Sequence, residues 1–112
     1  MNNTSERAVI VYTTFAEPVE AERVAEQLIA RKLCACANLF PGMISLYHWQ
    51  GKCERTAEVA VILKTRASLA DELCAALRGL HSYETPAIAV IPVEHMDADY
   101  LRWLVAETTT PA

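Results

Sequence analysis

The stretch from Leu33 to Thr65 constrains this chain more than any other. It reads L-C-A-C-A-N-L-F-P-G-M-I-S-L-Y-H-W-Q-G-K-C-E-R-T-A-E-V-A-V-I-L-K-T. Two apolar, β-prone runs flank Gln50-Gly51-Lys52, so the stretch predicts one long β-hairpin with that tripeptide at its tip. Pro41-Gly42 interrupts the first arm. Proline cannot donate to a sheet ladder, so this arm must be an edge strand or carry a bulge there. The second arm, Cys53 to Thr65, contains Glu58-Val59-Ala60-Val61-Ile62-Leu63-Lys64, nearly all apolar, as an interior strand requires. An arm of ~15 residues spans roughly 50 Å. A domain of this size has a radius of gyration near ~13 Å. The tip therefore overhangs the domain that carries it.

The rest of the chain supplies a sheet and helices for this hairpin. Ala8 to Thr14 (A-V-I-V-Y-T-T) reads as a central buried strand. Pro18 opens a helix to about Lys32, with Ala21, Val24, Ala25, Leu28 and Ile29 on one stripe and charges opposite. Acidic residues lead this helix and basic ones close it, in keeping with its dipole. Ser68, with Asp71 three residues on, caps a second helix with a stripe of Leu69, Leu73, Leu77 and Leu80. A polar loop, His81 to Pro86, leads to a fourth strand, Ala87 to Val93, where Pro92 again marks an edge or a strand end. Asp97 caps a short last helix, Ala98 to about Glu107, which uses Tyr100, Leu101, Leu104 and Trp103 for contact. Residues 1–7 and 108–112 read as flexible tails around a single domain, 8–107.

Strand, helix, strand, strand, helix, strand, with a short closing helix, is the order of an α+β, ferredoxin-like βαββαβ sandwich. Its sheet places the second and fourth strands at the edges, which are the strands that contain Pro41 and Pro92. An open sheet with an overhanging hairpin leaves edges unpaired and Tyr47 and Trp49 bare in a monomer. A closed homo-oligomer removes both problems. Hydrophobic residues make up 53% of the chain, in line with more apolar surface than one small subunit hides. The net charge of −4, without a basic cluster, speaks against nucleic acid as a partner. No run of about 18 apolar residues suggests a membrane span, and Met1 to Arg7 lacks a signal-peptide core, so the expected place is the cytoplasm. Cysteines 34, 36, 53 and 74 are then thiols, and their spacing gives no zinc framework.

Four separated motifs are similar to those of the CutA divalent-cation tolerance family: K-L-C-A-C-A-N-L-F-P-G-M-I-S-L-Y-H-W-Q-G-K, E-V-A-V-I-L-K-T, H-S-Y-E-T-P and D-Y-L-R-W-L. The resemblance runs from about Val9 to Val105. It implies a ferredoxin-like subunit, a tight homotrimer built like the PII signalling proteins, no established catalytic reaction, and a link to divalent metal, with copper proposed. Two departures stand out. Ser82 occupies the proline position of the His-Pro-Tyr-Glu motif. Thr13 and Leu80-His81 stand where some members carry Cys and two consecutive His, so only His81 survives of that set.

The candidate site residues each carry two readings. His81 is a metal-ligand type at a helix-to-loop junction, or a loop histidine that caps helix carbonyls. Cys34 and Cys36, two apart, hold a soft ion or pack as small apolar groups among alanines; the resemblance marks Cys36 as the family's cysteine. Lys64 and Glu58 bound an apolar strand and either line a cleft between subunits or form a structural pair. Tyr83 and Glu84 sit in the loop where a ligand pocket would open, or serve the core and the loop. The expected ligand set is thus His81 for metal and Cys36, Lys64, Tyr83 and Glu84 for a small ligand. Tyr47, Trp49 and Trp103 are interface anchors. No nucleophile–base set, phosphate loop or H-E-x-x-H is present. An acylphosphatase-like enzyme needs an anion-cradling loop with Arg after the first strand, and Thr13-Thr14-Phe15-Ala16-Glu17 has none. An RNA-binding module needs aromatics on a central strand, and Val59 to Thr65 has none. A copper chaperone would carry C-x-x-C after the first strand. A trimeric scaffold without a metal site is the remaining alternative.

Overall fold

A computed structural model describes residues 6–109. Its elements run β1 (Ala8–Phe15), α1 (Pro18–Ala30), β2 (Cys36–Trp49), β3 (Lys52–Arg66), α2 (Ala70–Leu80), β4 (Ile88–Pro92) and α3 (Ala98–Ala106), with a 3-10 turn at Ala67–Leu69. The four strands form one antiparallel sheet in the order β2-β3-β1-β4, the ferredoxin-like arrangement. Both proline-bearing strands are at the edges. Pro41 and Gly42 fall in a register shift between Phe40 and Met43, and Gly42 takes φ 81°, so the bulge absorbs the missing donor. The hairpin closes with a two-residue turn, Gln50 (φ 49°) and Gly51 (φ 82°), while Lys52 already pairs with Trp49.

Alternation assigns the two faces of the sheet. Val11, Thr13 and Phe15 of β1 and Val59, Val61, Leu63 and Thr65 of β3 point to one side, where α1 and α2 cover them. Val24 and Leu28 of α1 and Leu73 and Leu77 of α2 complete that core. Ile10, Tyr12, Thr14, Phe40, Ser45, Glu58, Ile62 and Lys64 belong to the opposite face, which α1 and α2 leave open. There α3 covers only one end, through Lys64 to Tyr100 and Arg66 to Val105. The long axis of the molecule is 53 Å against 26 and 22 Å, and the radius of gyration is 15.0 Å. The hairpin overhang is the cause of both.

Several local expectations need correction. The first helix ends at Ala30 with no basic residue in its last turn; Arg31 is its cap and Lys32 turns the chain with φ 59°. Ser68 does not cap α2. It lies inside the 3-10 turn, and its hydroxyl bonds the Glu6 carboxylate at 3.3 Å. By contrast, Asp97 accepts from the amides of Asp99 and Tyr100 and caps α3. Arg66, 6% exposed, pairs with Glu6 at 3.2 Å and donates to the carbonyls of Val105 and Thr108 and to the Thr108 hydroxyl. The Thr109 amide bonds the Lys32 carbonyl, and the Arg7 carbonyl accepts from Ala67. Glu6, Arg7, Thr108 and Thr109 thus each bond to the body of the fold; residues 1–5 and 110–112, where the expected tails also fall, lie outside the described residues.

Candidate functional site

The open face of the sheet meets the loop after α2 in a cleft of about 590 Å³. Its walls are Tyr12 and Thr14 from β1, Ser45, Tyr47 and Trp49 from β2, Glu58 from β3, and Tyr83 and Glu84 from the loop. Glu58 is its centre. Ser45 Oγ donates to one carboxylate oxygen at 2.6 Å and the Tyr83 hydroxyl to the other at 2.7 Å. Burial pushes the Glu58 carboxyl upward, but these two bonds, with Thr14 and His81 nearby, outweigh it and hold the group below the ordinary carboxylate range. Burial and the Glu58 charge push the Tyr83 phenol well up, so it remains a donor.

His81 holds the loop in place. Its ring stacks on Phe15 with centroids 4.2 Å apart and planes within 7°. Nδ1 accepts the Tyr83 amide at 3.1 Å, which leaves Nε2 as the protonated nitrogen donating to the Thr14 carbonyl at 2.7 Å. Neither ring nitrogen offers a free lone pair. Expected as a metal ligand, His81 here positions Tyr83 from behind. Ser82 turns its departure from proline to use, since its amide donates to Glu20 at 3.1 Å.

Of the expected residues, the structure brings Tyr83 and Glu84 into one cleft, with His81 behind them. Cys36 and Lys64 lie elsewhere. They face each other across β2 and β3, six residues along β3 from Glu58, or roughly 20 Å. Lys64 Nζ donates to the Tyr100 hydroxyl at 3.4 Å and stands 5.6 Å from that ring's centre. Cys36 Sγ donates to Asn38 Oδ1, at 3.7 Å. Cys34 is not on the strand with it; it is fully buried ahead of β2, and burial, with Cys36 nearby, pushes its thiol up to about 12. Among the described residues, no group of three or more His, Cys, Asp or Glu side chains is placed to hold a metal ion. Tyr47, Trp49 and Trp103 are 43%, 54% and 42% exposed, and Tyr47 and Trp49 also wall the cleft. Among the wall residues named above, those that sequence did not single out are Tyr12, Thr14 and Ser45. The Pro41-Gly42 bulge sets which β2 side chain reaches Glu58, and nothing local in the sequence fixes that shift.

The comparisons with known proteins agree with this architecture. The family model described as CutA1 divalent ion tolerance protein matches residues 9–107. A divalent-cation tolerance protein CutA of Citrobacter koseri is 46% identical over 99 residues, 88% of this chain and 86% of its own. The crystal structure of divalent ion tolerance protein CutA1 from Ehrlichia chaffeensis superposes with a TM-score of 0.91 at 30% identity, over 96% of this chain and 100% of that one. The structure of a periplasmic divalent cation tolerance protein CutA from Archaeoglobus fulgidus does so with a TM-score of 0.84 at 39% identity, over 87% and 94%. With a family model spanning nearly the whole chain, and a shared fold on which the cleft is built, this chain belongs to the CutA1 divalent ion tolerance family.

Proposed function

We propose that the chain is a non-catalytic binding module of divalent-cation tolerance, a homotrimer that takes a divalent metal, copper foremost, or a small ligand in clefts between its subunits. The observation that carries this reading is the open face of the sheet. Phe40, Trp49 and Ile91 stand on it 51%, 54% and 48% exposed, on a molecule 53 Å long whose edge strands are unpaired. Such a face and such edges are covered in closed assemblies, and the family resemblance supports three copies. Tyr47, Trp49 and Trp103 are the anchors of that interface. The assembly would also bring Lys64 and Cys36 of one subunit toward the cleft of another, which the distance along β3 forbids within a single chain.

The names of the relatives support the metal part. Among the described residues, no three donors of one chain gather into a copper site, and His81 has both ring nitrogens engaged. A metal would have to draw donors from more than one subunit and displace the Tyr83 amide from His81. That requirement favours, as a second reading, a PII-like signalling module or scaffold without a physiological metal site. No helix among the described residues is long and apolar enough to cross a membrane. The four free thiols support the cytoplasm as location.

Native mass spectrometry tests the assembly, with a trimer expected at micromolar concentration; a monomer there rejects it. Calorimetry with copper(II) on the wild type and on His81→Ala tests the metal. Weaker binding in the variant retains His81 as a ligand, and an unchanged isotherm removes it.

A further inference from the structure

The turn at the hairpin tip places two metal-binding side chains on one rung of the sheet. Gln50 and Gly51 form a two-residue loop with positive φ at both positions, closed by the pair Trp49 and Lys52. In such a hairpin the closing pair exchanges backbone hydrogen bonds, so the next pair does not. That next pair is His48 and Cys53. Non-bonded pairs are the closer kind, with Cα atoms about 4.5 Å apart and both side chains on one face. An imidazole nitrogen and a thiolate sulfur so placed reach a common ion, since their bonds to a metal are about 2.0 and 2.3 Å long.

Both side chains are exposed, and Cys53 is a free thiol. His81, by contrast, has both ring nitrogens bonded, Cys34 is fully buried and Cys36 donates to Asn38. The rung lies on the side of the hairpin away from Tyr47, Trp49 and Glu58, so the contact proposed between copies on the open face is not made of these side chains. Two donors do not satisfy zinc, which takes three or four protein ligands. They suit a soft monovalent ion, copper(I) foremost, which thiolate selects, imidazole accepts and two ligands satisfy. Arg55, two residues from Cys53 on the same face and about 7 Å along the strand, favours the same charge. The thiol gives its proton to solvent on binding, so thiolate plus monovalent ion is neutral beside the guanidinium. A divalent ion would leave a net positive charge there.

We propose that His48 and Cys53 form a two-coordinate site for a soft monovalent metal ion at the hairpin tip of each chain. The site goes beyond the function proposed above. Both donors come from one chain, and neither His81 nor a cleft between copies takes part. The need for donors from several subunits, which holds for a divalent ion at His81, does not arise.

The test is anaerobic titration of the intact protein with copper(I), buffered by the coloured chelator bicinchoninate. The tightest copper(I) ion of each chain is expected to be lost in Cys53→Ser. In His48→Ala it is expected to bind at least about tenfold more weakly, since even outer partners of a metal site are worth about 10–100-fold in affinity. Cys36→Ser and His81→Ala are expected to bind it as the wild type does, and excess zinc(II) is expected not to displace it. X-ray absorption of the loaded protein is expected to show one sulfur and one nitrogen around the ion. Because both side chains are exposed, neither variant touches the core. Equal affinity in His48→Ala and the wild type overturns the proposal, as does a shell of sulfur alone. Loss of the ion in Cys36→Ser or His81→Ala, with Cys53→Ser unaffected, overturns it too. Native mass spectrometry of the same samples separates this site from the assembly: a trimer without the ion rejects the site alone. A monomer that binds copper(I) through this pair supports the site and rejects the trimer.

Discussion

Glu58 shows how one side chain decides what the face around it can do. It sits in an apolar strand, where a lone carboxylate is costly. The hydroxyls of Ser45 and Tyr83 remove that cost by bonding one oxygen each. Its folded carboxyl is held below the ordinary value, so its stabilisation is full above about pH 4.3, the unfolded value, and is lost as pH falls through the folded one. Tyr83→Phe removes a donor and raises the Glu58 carboxyl toward its ordinary value. The variant should then show a flatter loss of stability on the acid side, read from denaturant midpoints at a series of pH values; an unchanged slope would remove Tyr83 from the account. Thr13 is the opposite case. It is fully buried between Val11 and Phe15 on the helix side, and its hydroxyl has no partner among the described residues. An unmatched buried polar atom costs about 1–3 kcal/mol. Thr13→Val keeps the shape and is expected to stabilise the protein by about 1 kcal/mol, seen as a higher denaturant midpoint. A loss of stability instead would mean that the hydroxyl finds a partner in the assembly.

At the scale of elements, the hairpin accounts for what sequence could and could not reveal. Pro41 and Pro92 identify edge strands because a missing N–H has the same consequence in any fold, so the sheet order was legible before any coordinate. The buried stripes of α1 and α2 were legible for the same kind of reason, through their period. The site was only half legible. Tyr83 and Glu84, which their motif singles out, wall the cleft, but Ser45 reaches Glu58 only because of the bulge, a matter of long-range register. Ser68 looked like a cap because its spacing to Asp71 suited one, yet a Glu6 carboxylate, distant in sequence, took its hydroxyl. His81 is a ligand type by its residue, and residue type does not show the bonds its ring makes to Tyr83 and Thr14. The turn at the tip gives the sharpest local prediction. Gln50 and Gly51 both have positive φ, which suits Asn-Gly better than Gln-Gly. Gly51→Ala should destabilise the tip by about 1 kcal/mol, and Gln50→Asn should stabilise it. Amide exchange at Trp49 and Lys52 reads both, faster in the first and slower in the second; equal rates would show that the turn is not strained at these positions.

The two faces of the sheet are unequally covered in the single chain. One face of its sheet carries a helical layer and a closed core, while the other has α3 at one end and half-exposed apolar side chains along the rest. The Arg66 network fixes that end: it ties the segment before β1, through Glu6, to the chain after α3, through Val105 and Thr108. The helix layer and this tie give the single chain a formed core, so the proposed assembly surface can be separated from the fold by experiment. Phe40, 51% exposed, lies on the open face of β2, opposite Ala60. Val19, 74% exposed, lies in the first turn of α1 on the far side of the core. Phe40→Asp places a charge in an apolar interface and leaves it unpaired there, a change that costs several kcal/mol on the order of a buried unpaired charge. Val19→Asp places the same charge in water near a helix N-terminus, where the dipole favours it. Sedimentation or native mass spectrometry should then find Phe40→Asp as folded monomer at concentrations where Val19→Asp remains assembled. Circular dichroism checks that the monomer retains its helices. If Phe40→Asp stays assembled like Val19→Asp, the open face is not the surface that joins the copies, and the hairpin must find its cover along the edges alone.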